Sequence, residues 1–336
     1  MLNTMKRLCV AVALGAGIAA YGIPAHAQAQ SVEMVLTNDV AVTHWKTRYM
    51  DRYASELEKR TNGRIKTKVY HAAQLYTDRD AVAALGTGSV HMAWPMSLQF
   101  ESLDQRFGIV NLPFMITDEM MMTPGLAPKL AEWLSKYVED RGIKVLGLMR
   151  VAELMVVTRD KPIQAAEDFK GMKVRVTGGR VLQDLFRSYG ASPITMPPTE
   201  MASAMQQGAI DGTFVSASGW EMVGSAGKYA STVPAMSILT YAVSVDKAWF
   251  DGLDAELKTA ILTQTEEILS EQWREAIAED KKTLDKMVGS GGQYSRVDDA
   301  GLAEFRKRAD AVNARFTDSH ADAYKEFRAI LASHGF

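Results

Sequence analysis

An arginine in the segment GMKVRVTGGR combines the chemistry and the setting of an anion-binding group. The segment alternates as a strand does, with apolar residues at positions 172, 174 and 176 on one face and Arg175 on the other. A guanidinium can hold a carboxylate through two parallel hydrogen bonds. Gly178 and Gly179 follow at the carboxyl end of this strand, where open α/β sheets bind ligands. The alternative is a solvated strand arginine.

Aromatic and sulfur side chains mark two further strand ends, in the segments AWPMS and VSASGW. Their positions make Trp94, Met96 and Trp220 candidates for the wall of a binding pocket. With 19 Met and 6 Trp in the chain, packing in the core is the alternative for each of them.

Patterns for catalysis or metal binding are missing from the sequence. Ser218 lacks the leading glycine of a nucleophile elbow, and the S-x-x-K matches at Ser225 and Ser244 lack the motifs that accompany them in β-lactamases. The histidines after residue 27 show no metal-site spacing; they are His44, His71, His91, His320 and His334. We therefore expect no enzyme activity, no catalytic residue, no metal and no cofactor.

The composition and the first residues indicate export. With 38 basic and 40 acidic side chains, the chain has no excess positive charge for binding nucleic acid. Lys6 and Arg7 precede the apolar run LCVAVALGAGIAA and then AHA, the pattern of a signal peptide cleaved between Ala27 and Gln28. The mature chain is then periplasmic and has no cysteine.

The order of elements predicts an α/β fold. A strand at 32–37, a helix in HWKTRYMDRYASELEKRTNG, the strand RIKTKVY, a helix in DRDAVAALGTG and the segment SVHMAWP give a β-α-β-α-β order and a parallel sheet. Further helices are expected over LAPKLAEWLSKYVEDRG, from about Ala255 to Met287 and from about Asp299 to Ser333. AALGTGSVHMA and SAMQQGAIDGT echo each other, which favours two similar halves.

Several segments in a fixed order resemble one known family. They are KGMKVRV, GASPITMPPTEMASAMQQGAIDG, TNGRIKTKVYHAAQL, the triplet Leu112-Pro113-Phe114 and the long helix after Tyr241. Together they cover nearly the whole mature chain, which resembles the substrate-binding proteins of tripartite ATP-independent periplasmic (TRAP) transporters.

The resemblance implies a two-lobed, type II-like periplasmic binding protein fold, hinged, with a long helix spanning both lobes. It implies a signal peptide over 1–27, a first lobe of 28–150 plus about 241–285, and a second lobe of 151–240 plus about 286–336. It also implies that Arg175 clamps the carboxylate of an organic acid. The other expected pocket residues are Asn38, Asp39, Tyr70, Trp94, Met96, Val215, Ser216, Trp220 and Tyr241, with Arg150 nearby.

One departure from the family pattern concerns the ligand. Many members carry a second arginine about nine residues before the pair that here is Pro162-Ile163, where this chain has Leu154 and Met155. We therefore expect a monocarboxylate with an apolar or aromatic body, rather than a sugar acid or a dicarboxylate. The expected partners are this ligand and the membrane permease subunits of a TRAP transporter, with the protein a monomer. Presentation of the ligand to a sensor and a periplasmic hydrolase are the alternatives.

Overall fold

The computed structural model describes residues 31–336, so the predicted signal peptide lies outside the described residues. The strands are β1 (Val32–Thr37), β2 (Ile65–Tyr70), β3 (Met92–Ala93), β4 (Ile143–Glu153), β5 (Met155–Thr158), β6 (Lys173–Val176), β7 (Ser192–Thr195), β8 (Gly212–Val215), β9 (Tyr229–Thr232), β10 (Ile238–Asp246) and β11 (Gln293–Arg296). The α-helices are α1 (Trp45–Arg60), α2 (Asp78–Ala84), α3 (Asp118–Met122), α4 (Leu126–Ser135), α5 (Arg180–Ser188), α6 (Met201–Gln206), α7 (Ala217–Val223), α8 (Lys247–Gly252), α9 (Ala255–Gly289), α10 (Asp299–Ser319) and α11 (Ala321–Ala332). Short 3₁₀ turns lie at Ser97–Ser102, Gln105–Asn111, Glu139–Arg141, Ala166–Phe169, Pro198–Glu200 and Gly224–Ala226.

The first sheet has the strand order β2-β1-β3-β10-β4. β1 pairs in parallel with β2 along its whole length and with β3 at its end, which confirms the parallel order predicted for this region. β10 pairs antiparallel with both β3 and β4, so the complete sheet is mixed. All nine residues of β10 are buried, as expected for a strand covered on both faces.

The second sheet has the order β11-β9-β5-β8-β6-β7. β6 pairs in parallel with β7 and β8, whereas β5 pairs antiparallel with β8 and β9. Val174 and Val176 are fully buried on one face of β6, which confirms the alternation read from the sequence. Arg175 lies between them and points the other way.

Two adjacent segments connect the sheets directly, and the long helix α9 forms a third connection, from β10 to β11. β4 of the first sheet continues through Leu154 into β5 of the second, and the chain returns between β9 and β10. The amide of Leu154 donates to the carbonyl of Ser237 at 3.0 Å, so the two connections are hydrogen-bonded to each other. The residue ranges of the two lobes stay a prediction.

The long helix α9 spans both halves, as predicted, because it packs against α1 and β4 of the first half and against α7 beside the second sheet. Its 35 residues make it about 50 Å long. Thr265 lies 3.3 Å from the hydroxyl of Tyr53 on α1, and Trp273 donates to the carbonyl of Leu148 on β4. Farther along, Lys286 forms an ion pair with Glu221 on α7.

Two helix predictions are wrong, one in its interior and one at its carboxyl end. The single helix expected over 299–333 is interrupted at His320, because α10 packs Phe305 against Tyr189 while α11 packs Phe327 against Trp133. The helix expected over 126–142 ends at Ser135, whose hydroxyl accepts the amide of Val145. Within residues 31–336, no helix is both long and apolar enough to cross a membrane.

Candidate functional site

A cavity of about 50 Å³ lies between the two sheets. Its lining is polar on one part and apolar on another. The polar side chains are those of Asp39, His44, Asp78, Arg175, Thr177 and Ser216. The apolar side chains include those of Val40, Met96, Val151, Leu154, Phe214 and Val215. An amphipathic lining of this kind suits a small molecule with one charged end.

Arg175 is held in place by the strand next to it. Its Nε and Nη2 atoms donate to the carbonyl oxygen of Met196 at 3.0 and 2.9 Å. Met196 directly follows β7, and Pro197 and Pro198 then end that strand because proline cannot donate a ladder hydrogen bond. The end of β7 thereby orients the guanidinium of β6.

The guanidinium is a buried cation without a counterion. Arg175 is only 3% exposed, and among residues 31–336 no carboxylate lies within salt-bridge distance of it. Burial lowers the pKa of Arg175 to about 10, although Asp39 and Tyr241 oppose that shift. A guanidinium has five N–H groups, of which Met196 takes two. The N–H groups left on Nη1 and Nη2 form the fork that binds a carboxylate end-on.

Three charged side chains form a cluster beside the first sheet, and two of them, Asp39 and Asp78, line the cavity with Arg175. Lys46 is fully buried at the start of α1, and its Nζ lies 3.4 Å from Asp78 Oδ1 and 4.0 Å from Asp39 Oδ1. The same Nζ lies 4.0 Å from the ring centre of Tyr241. Burial, and then the charge of Asp39, raise the pKa of Asp78 to about 7, while Lys46 acts in the opposite direction.

A chain of hydrogen bonds links the two sheets next to the cavity. His44, the N-cap of α1, accepts the amide of Lys46 on Nδ1 at 3.1 Å and places Nε2 3.0 Å from Ser218 Oγ. Ser218 in turn lies 2.9 Å from Ser216 Oγ, which caps α7 by accepting the amide of Gly219. Burial, with Lys46 and Arg48 nearby, lowers the pKa of His44 to about 3. The imidazole is therefore neutral, with its proton on Nε2.

A second, larger cavity of about 1010 Å³ lies outside this chain of hydrogen bonds. It is lined by α1, α7 and α9 and shares His44 and Met222 with the inner cavity. The His44–Ser218 contact therefore lies at the boundary between the inner cavity and an outer groove.

Across residues 31–336, His, Cys, Asp and Glu form no group of three that could hold a metal ion.

Comparison with known proteins identifies the family. The profile described as bacterial extracellular solute-binding protein, family 7, matches residues 37–319. The chain belongs to this family. The C4-dicarboxylate-binding periplasmic protein DctP of Rhodobacter capsulatus is 28% identical over 292 residues, covering 85% of this chain and 86% of that protein.

Solved structures share the fold of this family 7 protein. A TRAP periplasmic solute-binding protein from Sulfurospirillum deleyianum with bound succinate superposes with a TM-score of 0.81 at 24% identity, covering 90% of this chain and 99% of that one. The sugar acid binding protein DctPAm from Advenella mimigardefordensis with galactonate gives a TM-score of 0.83 at 18% identity, covering 91% and 98%. The resemblance to TRAP substrate-binding proteins and the two-lobed fold are thus confirmed. Family 7 consists of solute-binding proteins and not of enzymes.

In this family 7 protein, six of the residues predicted from the sequence line the inner cavity. They are Asp39, Met96, Arg175, Val215, Ser216 and Tyr241. Arg175 and Asp39 approach from different sheets, because one lies on β6 and the other follows β1. The hydroxyl of Tyr241 makes no hydrogen bond to any described residue, so it is available to a ligand.

The other predicted residues lie outside the cavity lining. Trp94 is fully buried and packs edge-on against Tyr53 at 5.5 Å, and Trp220 donates from its indole to the carbonyl of Gly227. Both belong to the buried core, and neither lines the cavity. Arg150 is bound to Asp118 and Asp280 in a buried ion cluster.

Asn38 and Tyr70 also lie outside the lining. Asn38 is buried beside Asp39, but its side-chain oxygen accepts the amide of Val40 and its amide group contacts His71. Tyr70 is half-buried at the end of β2 and pairs with Thr37. Asn38 therefore shapes the turn that places Asp39.

The sequence did not predict the cavity residues His44 and Asp78, nor Lys46, which contacts Asp39 and Asp78 behind the lining. One signal for Lys46 exists: it has the spacing of the buried stripe of α1 formed by Met50, Tyr53 and Leu57, where a lysine is unexpected. No comparable signal marks His44 or Asp78, because their neighbours in the cavity come from distant parts of the chain.

Proposed function

We propose that this family 7 protein captures a small monocarboxylate with an apolar body in its inner cavity and delivers it to the membrane permease of a TRAP transporter. The observation that carries the proposal is the buried guanidinium of Arg175, which has no carboxylate partner among the described residues. A buried charge is costly unless it is paired, so the site is completed by an anion from outside the chain. The fork formed by Nη1 and Nη2 fits a carboxylate.

The apolar part of the lining supports an apolar ligand body. Leu154 lines the cavity in the region where many family members carry a second arginine. Val151 and Phe214 also line it. Among the residues that line this cavity, Arg175 is the single arginine. A ligand with one carboxylate therefore fits the charges better than a ligand with two.

Closure of the two halves is part of the proposal. The adjacent connections at Leu154 and Ser237 are the segments about which the sheets can move, since they link the sheets directly. The His44–Ser218 hydrogen bond joins the halves on the cavity side. Closing excludes water and strengthens the pairing of Arg175 with the carboxylate.

Calorimetric titration of the exported chain with a panel of aliphatic, aromatic, hydroxy, sugar and dicarboxylic acids tests the proposal. We expect micromolar binding of at least one monocarboxylate. Arg175→Met should weaken that binding roughly 30-fold to several thousand-fold, which corresponds to about 2 to 5 kcal/mol.

Arg187→Met is the matched control, because Arg187 is an arginine of the same half whose side chain is 54% exposed. It should bind as the wild type does. A loss of tenfold or less in Arg175→Met, with the variant folded, would contradict the clamp role. Tighter binding of a sugar acid or a dicarboxylate than of every monocarboxylate would contradict the proposed ligand class.

A further inference from the structure

We infer that the ligand carries, besides its carboxylate, a hydrogen-bond donor that Asp39 accepts. The donor is an O–H or N–H group on a neutral or positively charged part of the ligand. The inference rests on the proposed function, because it assumes that Arg175 binds the carboxylate. It adds a second recognition point on the opposite sheet.

Asp39 has a buried acceptor atom that nothing in the described chain satisfies. The residue is 5% exposed and lines the inner cavity. Its Oδ2 accepts the amide of Asp78 at 3.3 Å. Its Oδ1 is buried and has no hydrogen-bond partner within residues 31–336, and the nearest cation, Lys46 Nζ, is 4.0 Å away. Buried acceptors are nearly always paired, so this oxygen marks a place where a donor is missing.

No neighbour of Asp39 donates a hydrogen bond to this oxygen in the structure of residues 31–336. Lys46 Nζ donates to Asp78 Oδ1 at 3.4 Å, and its ammonium lies over the ring of Tyr241. Asp78 Oδ2 accepts the amide of Met96 at 3.1 Å. Asp39 Oδ1 is thus the acceptor that this cluster leaves open.

The charges of Asp39, Asp78 and Lys46 determine which groups of a ligand can approach Asp39. Two carboxylates, Asp39 and Asp78, share one ammonium, Lys46. The end of the cavity at Asp39 and Asp78 is therefore rich in hydrogen-bond acceptors. Arg175 provides the positive charge at the opposite end. A second carboxylate on the ligand would meet two carboxylates of the protein, whereas a hydroxyl, a lactam N–H or an ammonium would meet an acceptor. The cluster selects against dicarboxylates for this reason.

Specificity from a buried acceptor is strong, because an analogue without the donor leaves the acceptor unpaired. The size of the cavity, about 50 Å³, keeps the two recognition points close together. The donor should therefore lie within a few bonds of the ligand carboxylate.

Pairs of acids that differ by the donor alone test the inference. The pairs are lactate and propionate, 3-hydroxybutyrate and butyrate, mandelate and phenylacetate, and pyroglutamate or proline against cyclopentanecarboxylate, with succinate as the dicarboxylate. In the wild type we expect the tightest-binding acid to carry a donor and to bind at least tenfold more tightly than its partner. The hydroxy, lactam and amino acids tell which donor is used. Succinate should bind more weakly than that acid.

Asp39→Ala should reduce the preference within the best pair to threefold or less while leaving the affinity for the donor-free acid nearly unchanged. Asp140→Ala is the control, because Asp140 lies in the surface turn Glu139–Arg141 with a side chain that is 76% exposed. Melting temperatures of both variants show that they are folded.

Equal affinities within the best pair, or tighter binding of succinate, would overturn the inference. A preference that persists in folded Asp39→Ala would overturn it as well. Tighter binding of succinate would also contradict the monocarboxylate part of the proposed function. After either of the other two outcomes, the proposed function still stands if carboxylate binding depends on Arg175. Failure of every acid to bind the wild type would overturn both.

Discussion

The imidazole Nε2 of His44 lies 3.0 Å from the hydroxyl oxygen of Ser218, a residue 174 positions farther along the chain. His44 caps α1 over the first sheet, and Ser218 lies in α7 beside the second. This contact is therefore a direct hydrogen bond between the two halves, at the boundary between the inner cavity and the outer groove. It is made by a neutral histidine, because burial lowers the pKa of His44 to about 3.

Ligand affinity should fall as the pH drops from 7 to 5. When the cleft opens, His44 regains contact with water and its pKa returns toward the ordinary value of about 6.5. Between that value and about pH 3 the open form binds a proton that the closed form excludes, so acid favours the open form. Calorimetric titration at pH 7 and pH 5 should show a loss of roughly tenfold or more.

Other charges near His44 require a control. Lys46 and Arg48 lie on its own helix, Glu221 on α7, and Glu275 and Glu279 on α9 line the adjoining groove. His44→Gln retains a donor toward Ser218 but cannot titrate. Its affinity should change less between pH 7 and pH 5 than that of the wild type, and the change that remains reports Asp78, whose pKa of about 7 lies in the same range. An equal loss in wild type and His44→Gln would assign the pH dependence to another group.

Arg150 should matter for stability and not for binding. It is 2% exposed, and its Nε and Nη2 donate to the two oxygens of Asp118 at 2.6 and 2.9 Å while Nη1 donates to Asp280. Arg150→Met leaves both carboxylates without their cation, so the free energy of unfolding should fall by about 3 kcal/mol. Urea denaturation measures this change.

The affinity of folded Arg150→Met for the best acid should stay within about threefold of the wild-type value, because Arg150 does not line the cavity. Arg187→Met, at the surface, should change stability by about 0.5 kcal/mol or less. A large loss of affinity with little loss of stability would instead make Arg150 a ligand contact.

Lys46→Met should destabilise the protein most at alkaline pH. Removing the ammonium leaves Asp39 and Asp78 buried together, at a cost of about 3 to 5 kcal/mol in the free energy of unfolding. The pKa of Asp78 is already raised to about 7, and the unfolded value is lower, so the folded form binds more protons in this range. Stability should therefore increase as the pH falls from 8 to 6.

Urea denaturation of wild type and Lys46→Met at pH 8 and pH 6 tests this sign. The difference in the free energy of unfolding between wild type and Lys46→Met should be smaller at pH 6 than at pH 8. A difference that is constant, or larger at pH 6, would show that the carboxylates do not take up a proton when Lys46 is missing.

Local sequence patterns predicted most of the strands and helices. They also predicted one residue of the site, Arg175. The alternation in GMKVRV predicts which face of β6 carries Arg175, because successive side chains of a strand point to opposite faces of the sheet. Trp94 and Trp220 were predicted from their positions near strand ends alone, and both are buried in the core. Position near a strand end does not say to which side a side chain turns.

The ends of the last helices also depended on packing. Periodicity continues through His320, so the sequence gives no reason to stop there. The chain turns at that residue because Phe305 and Phe327 pack against different partners, Tyr189 and Trp133.

The sequence by itself determined the family, the α/β order of the elements and the arginine on β6, because each depends on residues close together in the chain. The resemblance to the family also predicted Asp39, Met96, Val215, Ser216 and Tyr241, which line the cavity. The tertiary structure alone decided how the charged residues of the site combine. Lys46, Asp39 and Asp78 form one cluster only when α1 packs on the first sheet, and His44 meets Ser218 only when the two halves face each other. Such contacts join residues tens to hundreds of positions apart, and local periodicity contains no information about them.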